Sequence, residues 1–225
     1  NRTVDIAAAS ALVTVPCTVT KADAAVQGLA VTLTDAAGAT QSTRTDEKGA
    51  YSFAALAAGD YSLTVQLAEH QAVVAVNHEA AQSVGQYQVN VTLQEGERRD
   101  DRLTLEDTAS ITGQIAELGA GQTVTAAAAD GQYSATTDDK GAFSFDALIA
   151  GDYTLYAPLP EGKTLSDGSS WQVSQKGDMI WLPLTVEAGN AYALPAVDYV
   201  AMTGIEGVAY LDNNGDHKLD TSETL

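Results

Sequence analysis

Hydrophobic and polar residues alternate along most of this chain. Val31 and Leu33 alternate with Thr32 and Thr34, before a turn at Ala36-Ala37-Gly38. Tyr51 and Phe53 alternate with small or polar residues, and Tyr61, Leu63 and Val65 share one face. Residues 71–76 (QAVVAV) and 87–93 (YQVNVTL) continue the pattern. A second series repeats it with Ile111/Gly113/Ile115, Phe143/Phe145, Tyr153/Leu155, Trp171/Val173 and Ile180/Leu182/Leu184/Val186. A period of two predicts half-buried strands. The Ala-rich run 126–129 sits within this alternation and carries no helix caps, so no helix of normal length is expected. Short strands with turns every ~8–12 residues predict an all-β protein made of antiparallel sandwiches.

The pattern is written twice. "TDEKGAYSFAALAAGDYSL" runs from Thr45 to Leu63, and "TDDKGAFSFDALIAGDYTL" from Thr137 to Leu155. Each copy opens on turn chemistry, Asp46 to Gly49 and Asp138 to Gly141, where Asp bonds its own backbone and Gly takes a positive φ. "ITGQI" at Ile111 and "IEGVAYLD" at Ile205 open similar units, and "VPCTV" holds the matching place in the first. The expected division is residues 1–10 as the tail of a preceding unit, 11–98 as repeat one, 99–196 as repeat two, and 197–225 as the truncated start of a third. No Gly/Ser-rich linker separates them, so short inter-domain junctions and a stiff rod are expected.

Charge narrows the function. The chain has 225 residues, 11 Lys+Arg against 30 Asp+Glu, and a formal net charge of −19. Such a surface repels phosphate backbones and anionic membranes and suits divalent cations. One cysteine, Cys17, permits no internal disulfide and reads as a small buried hydrophobe in a strand. No Ser-His-Asp order with a nucleophile elbow and no phosphate loop is present, and the recurring Asp46, Asp60, Asp138 and Asp152 read as turn residues. No catalytic residue is assigned, and the chain is expected not to be an enzyme.

The string of a turn Asp, Gly, aromatic-x-Phe, x-x-Leu, a small-residue corner and Gly-x-Tyr-x-Leu resembles the prealbumin-like (Ig-like) B-type repeats of Gram-positive surface adhesins. These include collagen-adhesin and serine-aspartate-repeat B domains, and the carboxypeptidase regulatory-like domains. The resemblance implies a secreted or cell-wall-anchored bacterial surface protein whose modules form a stalk. Some collagen-adhesin repeats carry a Lys–Asn isopeptide bond assisted by a buried acid. Lys21 and Asn90 would be that pair in repeat one, but Val65 and Ala157 stand where the acid is usual. An exposed Lys and a strand-edge Asn are the reading preferred here.

One segment carries site chemistry. "DNNGDHKLDTSE" has calcium-loop spacing: Asp212, Asn214 and Asp216 at positions 1, 3 and 5, the Lys218 carbonyl at 7, Asp220 at 9 and Glu223 at 12. Ca²⁺ takes six to eight hard oxygens, which alternate residues of a tight loop supply. His217 stands where position 6 normally holds Gly. Serine-aspartate adhesin B repeats carry similar loops, so the resemblance supports Ca²⁺ as a cofactor. Trp181 and Trp171, with Tyr156, are candidates for an aromatic platform that binds a host protein or glycan; the competing reading is one core and one edge Trp. Ile180 and Leu182 flank Trp181 and face the other way. The expected function is a non-catalytic stalk, rigidified by calcium, with neighbouring repeats of the same chain as partners. A ligand-binding module, or an accessory domain of a secreted hydrolase, remains the alternative.

Overall fold

The computed structural model describes residues 13–202 apart from 98 and 130. The described residues are all-β, with one 3-10 turn among them at Ala116–Leu118. The first unit holds β1 (Val13–Lys21), β2 (Ala24–Ala25), β3 (Ala30–Asp35), β4 (Thr40–Arg44), β5 (Ala50–Leu56), β6 (Gly59–Gln66), β7 (Gln71–Val76), β8 (Glu79–Val84), β9 (Gln86–Leu93) and β10 (Asp101–Asp107). One sheet runs β5-β1-β10-β7-β8, with β2 beside the far end of β1; the other runs β4-β3-β6-β9. Val19, Val73, Leu103 and Leu105 from the first sheet meet Val31, Leu33, Leu63, Val65 and Val91 from the second in one buried core. Each such side chain contributes about 1.5–3 kcal/mol by leaving water.

The second unit holds β11 (Ala109–Gln114), β12 (Thr123–Ala128), β13 (Gly131–Thr136), β14 (Ala142–Leu148), β15 (Gly151–Pro158), β16 (Lys163–Leu165), β17 (Gln172–Val173), β18 (Met179–Val186), β19 (Ala191–Ala193) and β20 (Tyr199–Ala201). The sheet β14-β11-β19 faces the sheet β13-β12-β15-β18-β17, and β16 pairs with β20. Ile111, Phe143 and Phe145 pack on Val124, Tyr153, Leu155, Ile180 and Leu182 in a core of their own.

The units are divided differently from the sequence expectation. Residues 101–107, read as the lead-in to repeat two, form β10. This strand runs parallel to β1 (Cys17 opposite Asp101, Lys21 opposite Leu105) and antiparallel to β7. Leu103 and Leu105 alternate into the first core, which is why the strand stays with the unit it follows. The pattern recurs one unit later. Residues 199–201, assigned to the third repeat, pair with β16, and Val197 and Tyr199 pack against the second core.

The repeated residues have repeated structural work. Asp46 Oδ1 accepts from the backbone N–H of Lys48 and Ala50 at 2.8 and 2.9 Å; Asp138 Oδ1 accepts from Lys140 and Ala142 at 2.9 and 2.8 Å. Tyr61 and Tyr153 donate their hydroxyls to the carbonyls of Ala57 and Ile149, four residues back, at 3.0 and 2.8 Å. Asp60 and Asp152 accept from Thr92 and Thr185 on the neighbouring strands at 2.6 and 2.7 Å. All four recurring aspartates are therefore structural acceptors, as their turn positions suggest.

Candidate functional site

Two places hold side-chain arrangements beyond those the cores and turns require. The first is the junction between the units. Only Thr108 separates the last residue of β10, Asp107, from the first of β11, Ala109. The Asp107 carboxylate pairs with Lys21 at the end of β1, and its carbonyl accepts from Gly189 N–H of the second unit at 3.1 Å. Thr108 N–H donates to the His70 carbonyl at 2.8 Å. His70 has a positive φ of 58°, which presents that carbonyl at the bend between β6 and β7. A cleft of about 380 Å³ lies here, lined by His70, Asp107, Asp146 and Asn190 among others. The Thr108 hydroxyl is buried without a hydrogen-bond partner.

The second place is the outward face of the sheet β13-β12-β15-β18-β17. Its alternation puts Tyr153, Leu155, Ile180 and Leu182 inward and Tyr156 and Trp181 outward. Tyr156 is 38% exposed and lies directly opposite Trp181 in the β15–β18 register. Thr125 lies opposite Tyr156 on one side, and Gln172 opposite Trp181 on the other. Ser134, opposite Thr125, completes the row.

Trp171 is not part of this surface, which corrects its assignment as a ligand-binding residue. It is 4% exposed and belongs to the second core, next to β17. Period-two alternation could not separate the two tryptophans, because Trp171 belongs to the irregular segment ahead of β17, where alternation fixes no face.

Lys21 and Asn90 are not brought together. Asn90 is exposed on β9 of the sheet that does not contain β1, and Lys21 is occupied by Asp107. The calcium-loop residues Asp212, Asn214, Asp216, Lys218, Asp220 and Glu223 lie outside the described residues. Among the described residues no group of three or more His, Cys, Asp or Glu side chains could hold a metal ion, and no helix is long and apolar enough to cross a membrane.

Burial, with the negative charge of Glu117 nearby, pushes the Tyr199 hydroxyl up to about 12. Its oxygen is buried and has no hydrogen-bond partner. Lys176 and Asp178 pair across an exposed turn at 2.8 Å, and their hydrogen bond raises the first and lowers the second. None of these groups sits on the aromatic row, so its chemistry is apolar stacking flanked by neutral hydrogen-bonding groups.

Residues 14–106 match the carboxypeptidase regulatory-like domain. This bears out the resemblance for the first unit, and the match includes nearly all of β10. Residues 106–177 match domain II of polysaccharide lyase family 4. Colossin-A of Dictyostelium discoideum is 29% identical over 155 residues, covering 63% of this chain but 1% of that protein. Among solved structures, the Bacillus anthracis TIE protein is 14% identical with a TM-score of 0.35, covering 84% of this chain and 34% of that one. GBS52, the minor pilin of Streptococcus agalactiae, is 13% identical with a TM-score of 0.34, covering 88% of this chain and 100% of that one.

Proposed function

We propose that this chain is a load-bearing spacer of an extracellular surface protein, anchored to a bacterial cell wall and joined end to end with further repeats. One observation carries the reading. In the first unit the first and last strands are hydrogen-bonded neighbours running the same way, β1 beside β10 over Cys17–Lys21; in the second, β11 runs in the same way beside β19 over Ser110–Thr112, ahead of the short β20. Tension between the two ends of a unit then pulls these strands past each other. Every rung between them carries load at once, whereas an unzipped hairpin loses rungs one by one. A junction of one residue, tied by Asp107 and Thr108 to both sides, leaves little room for bending. Calcium bound by Asp212–Glu223 would neutralise carboxylates at the next junction and stiffen it.

Single-molecule extension between the termini tests the spacer reading. Two discrete unfolding events are expected, each at a higher force than when the first unit is pulled through attachment points at Asn77 and Gly85, the ends of the β8 hairpin arm. Equal forces from both geometries would overturn it. Small-angle scattering with Ca²⁺ and with chelator tests the metal: an unchanged profile rejects a stiffening role. A second reading, as an accessory module of a secreted carbohydrate-active enzyme, draws on the match of residues 106–177. A catalytic domain in the same polypeptide would favour it.

A further inference from the structure

The two units are built on one register, so each is a control for the other. In the first unit the outward row across β4, β3, β6 and β9 reads Ser42, Thr32, Thr64, Gln88. In the second, the same row across β13, β12, β15 and β18 reads Ser134, Thr125, Tyr156, Trp181. Ser and Thr are kept at the first two places. Thr and Gln give way to Tyr and Trp at the last two. The second unit also adds β17, which sets Gln172 beside Trp181. The first unit folds with polar residues at these points, so the sandwich does not need aromatic rings there. Both cores are filled from the opposite face. Two large rings, Tyr156 exposed and Trp181 half-buried, stand on a face that the first unit builds without them.

We propose that this row is a binding platform for a neutral polysaccharide, with successive sugar rings stacked on Tyr156 and Trp181. Paired side chains on neighbouring strands are ~4.5–5.5 Å apart at Cβ, close to the length of one pyranose ring. Two adjacent rings therefore offer an apolar floor for two adjacent sugars. An aromatic ring buries the C–H face of a sugar, while hydroxyl and amide groups at the margin exchange hydrogen bonds with its rim. Ser134, Thr125 and Gln172 supply that margin on both sides. The row contains no charge and the chain carries −19, which disfavours polyanionic glycans. A protein partner fits less well, since a stable protein interface covers ~800 Å² on each side with an apolar centre, and here only two rings break a polar face. The inference does not depend on the spacer reading; a spacer with or without this platform bears the same load.

The test uses the full chain. Trp181 and Trp171 are its two tryptophans, and Trp171 is buried, so a ligand-induced emission change reports Trp181. Retardation in gels containing soluble xylan, glucomannan or mixed-linkage β-glucan, and pull-down on cellulose and chitin, supply the probes. Binding to at least one is expected, with a blue shift in emission. The double variant Tyr156→Thr with Trp181→Gln, which writes the first unit's row into the second, should still unfold cooperatively in urea and lose affinity on the order of ten-fold or more. The reciprocal graft, Thr64→Tyr with Gln88→Trp, should add a second site and deepen retardation. No binding to any of these glycans, or binding that the double variant leaves unchanged, overturns the proposal, as does binding to a protein ligand through these rings with all glycans silent.

Discussion

Lys21 and Asp107, 86 residues apart, form an ion pair that ties the end of the first strand of unit one to the end of its last. The pair closes the parallel β1–β10 seam at the edge of the inter-unit junction, where Asp107 also accepts from Gly189. Its side chains are 35% and 41% exposed, so water screens the attraction. Asp107→Asn should cost up to about 1 kcal/mol of the first unit's stability, and the difference from wild type should shrink in high salt. Urea denaturation at low and high ionic strength measures both. A larger loss that salt does not touch would mean that Asp107 acts through packing.

The turn glycines should be far less tolerant. Gly49 and Gly141 have φ of 69° and 72°, and a Cβ there would stand 2.2 Å from the Val19 carbonyl oxygen and 2.0 Å from that of Ile115. Both neighbours are backbone and cannot swing away. Gly49→Ala and Gly141→Ala should each cost more than about 1 kcal/mol. Gly168→Ala, with a φ of 83° but open space around it, should cost less. Denaturant midpoints of the three variants give the order.

The two tryptophans should separate cleanly. Trp171→Ala empties part of the second core and should cost about 3–5 kcal/mol. Trp181→Gln changes a half-buried side chain on the outer face and should cost about 1 kcal/mol or less. Equal losses in urea would show that the second sandwich depends on its outer ring.

Tyr199 makes stability depend on alkaline pH. Its folded value of about 12 lies above the ordinary value of 10.0. The native state therefore keeps a proton that the unfolded chain gives up. The contribution is complete below pH 10 and is lost as pH rises towards 12. Tyr199→Phe should flatten this slope, and at neutral pH it should be neutral or slightly stabilising because it removes an unpartnered buried oxygen. Thermal melts between pH 7 and 11 measure both effects.

The inward-facing strands were legible because alternation in Val, Leu, Ile, Phe and Tyr reports a core face directly. The edge strands were not. β8 (EAAQSV) buries no side chain fully, so only its hairpin betrays it: Asn77 and His78 both take positive φ, 52° and 70°, in a two-residue turn. Asn77 further donates to Asp101 at 2.9 Å and accepts from Arg102 N–H at 2.8 Å, which no local pattern foretells. The unit boundary was misplaced because β10 lies beside β11 in sequence but beside β1 in space. At the surface, Trp181 was legible from the opposite facing of Ile180 and Leu182. Tyr156 was expected to join it, but that the two stand directly opposite required the register between positions 25 residues apart in the chain.

The shared row across the two outer faces has a wider meaning. Because each strand turns alternate residues to the interior, everything on the outside can be rewritten without disturbing what holds the sheet up. Where the first unit has Thr64 and Gln88 the second has Tyr156 and Trp181, and Leu63 and Leu155 beside them are buried alike. A long array of such units could thus keep one skeleton throughout and carry a different message on every copy.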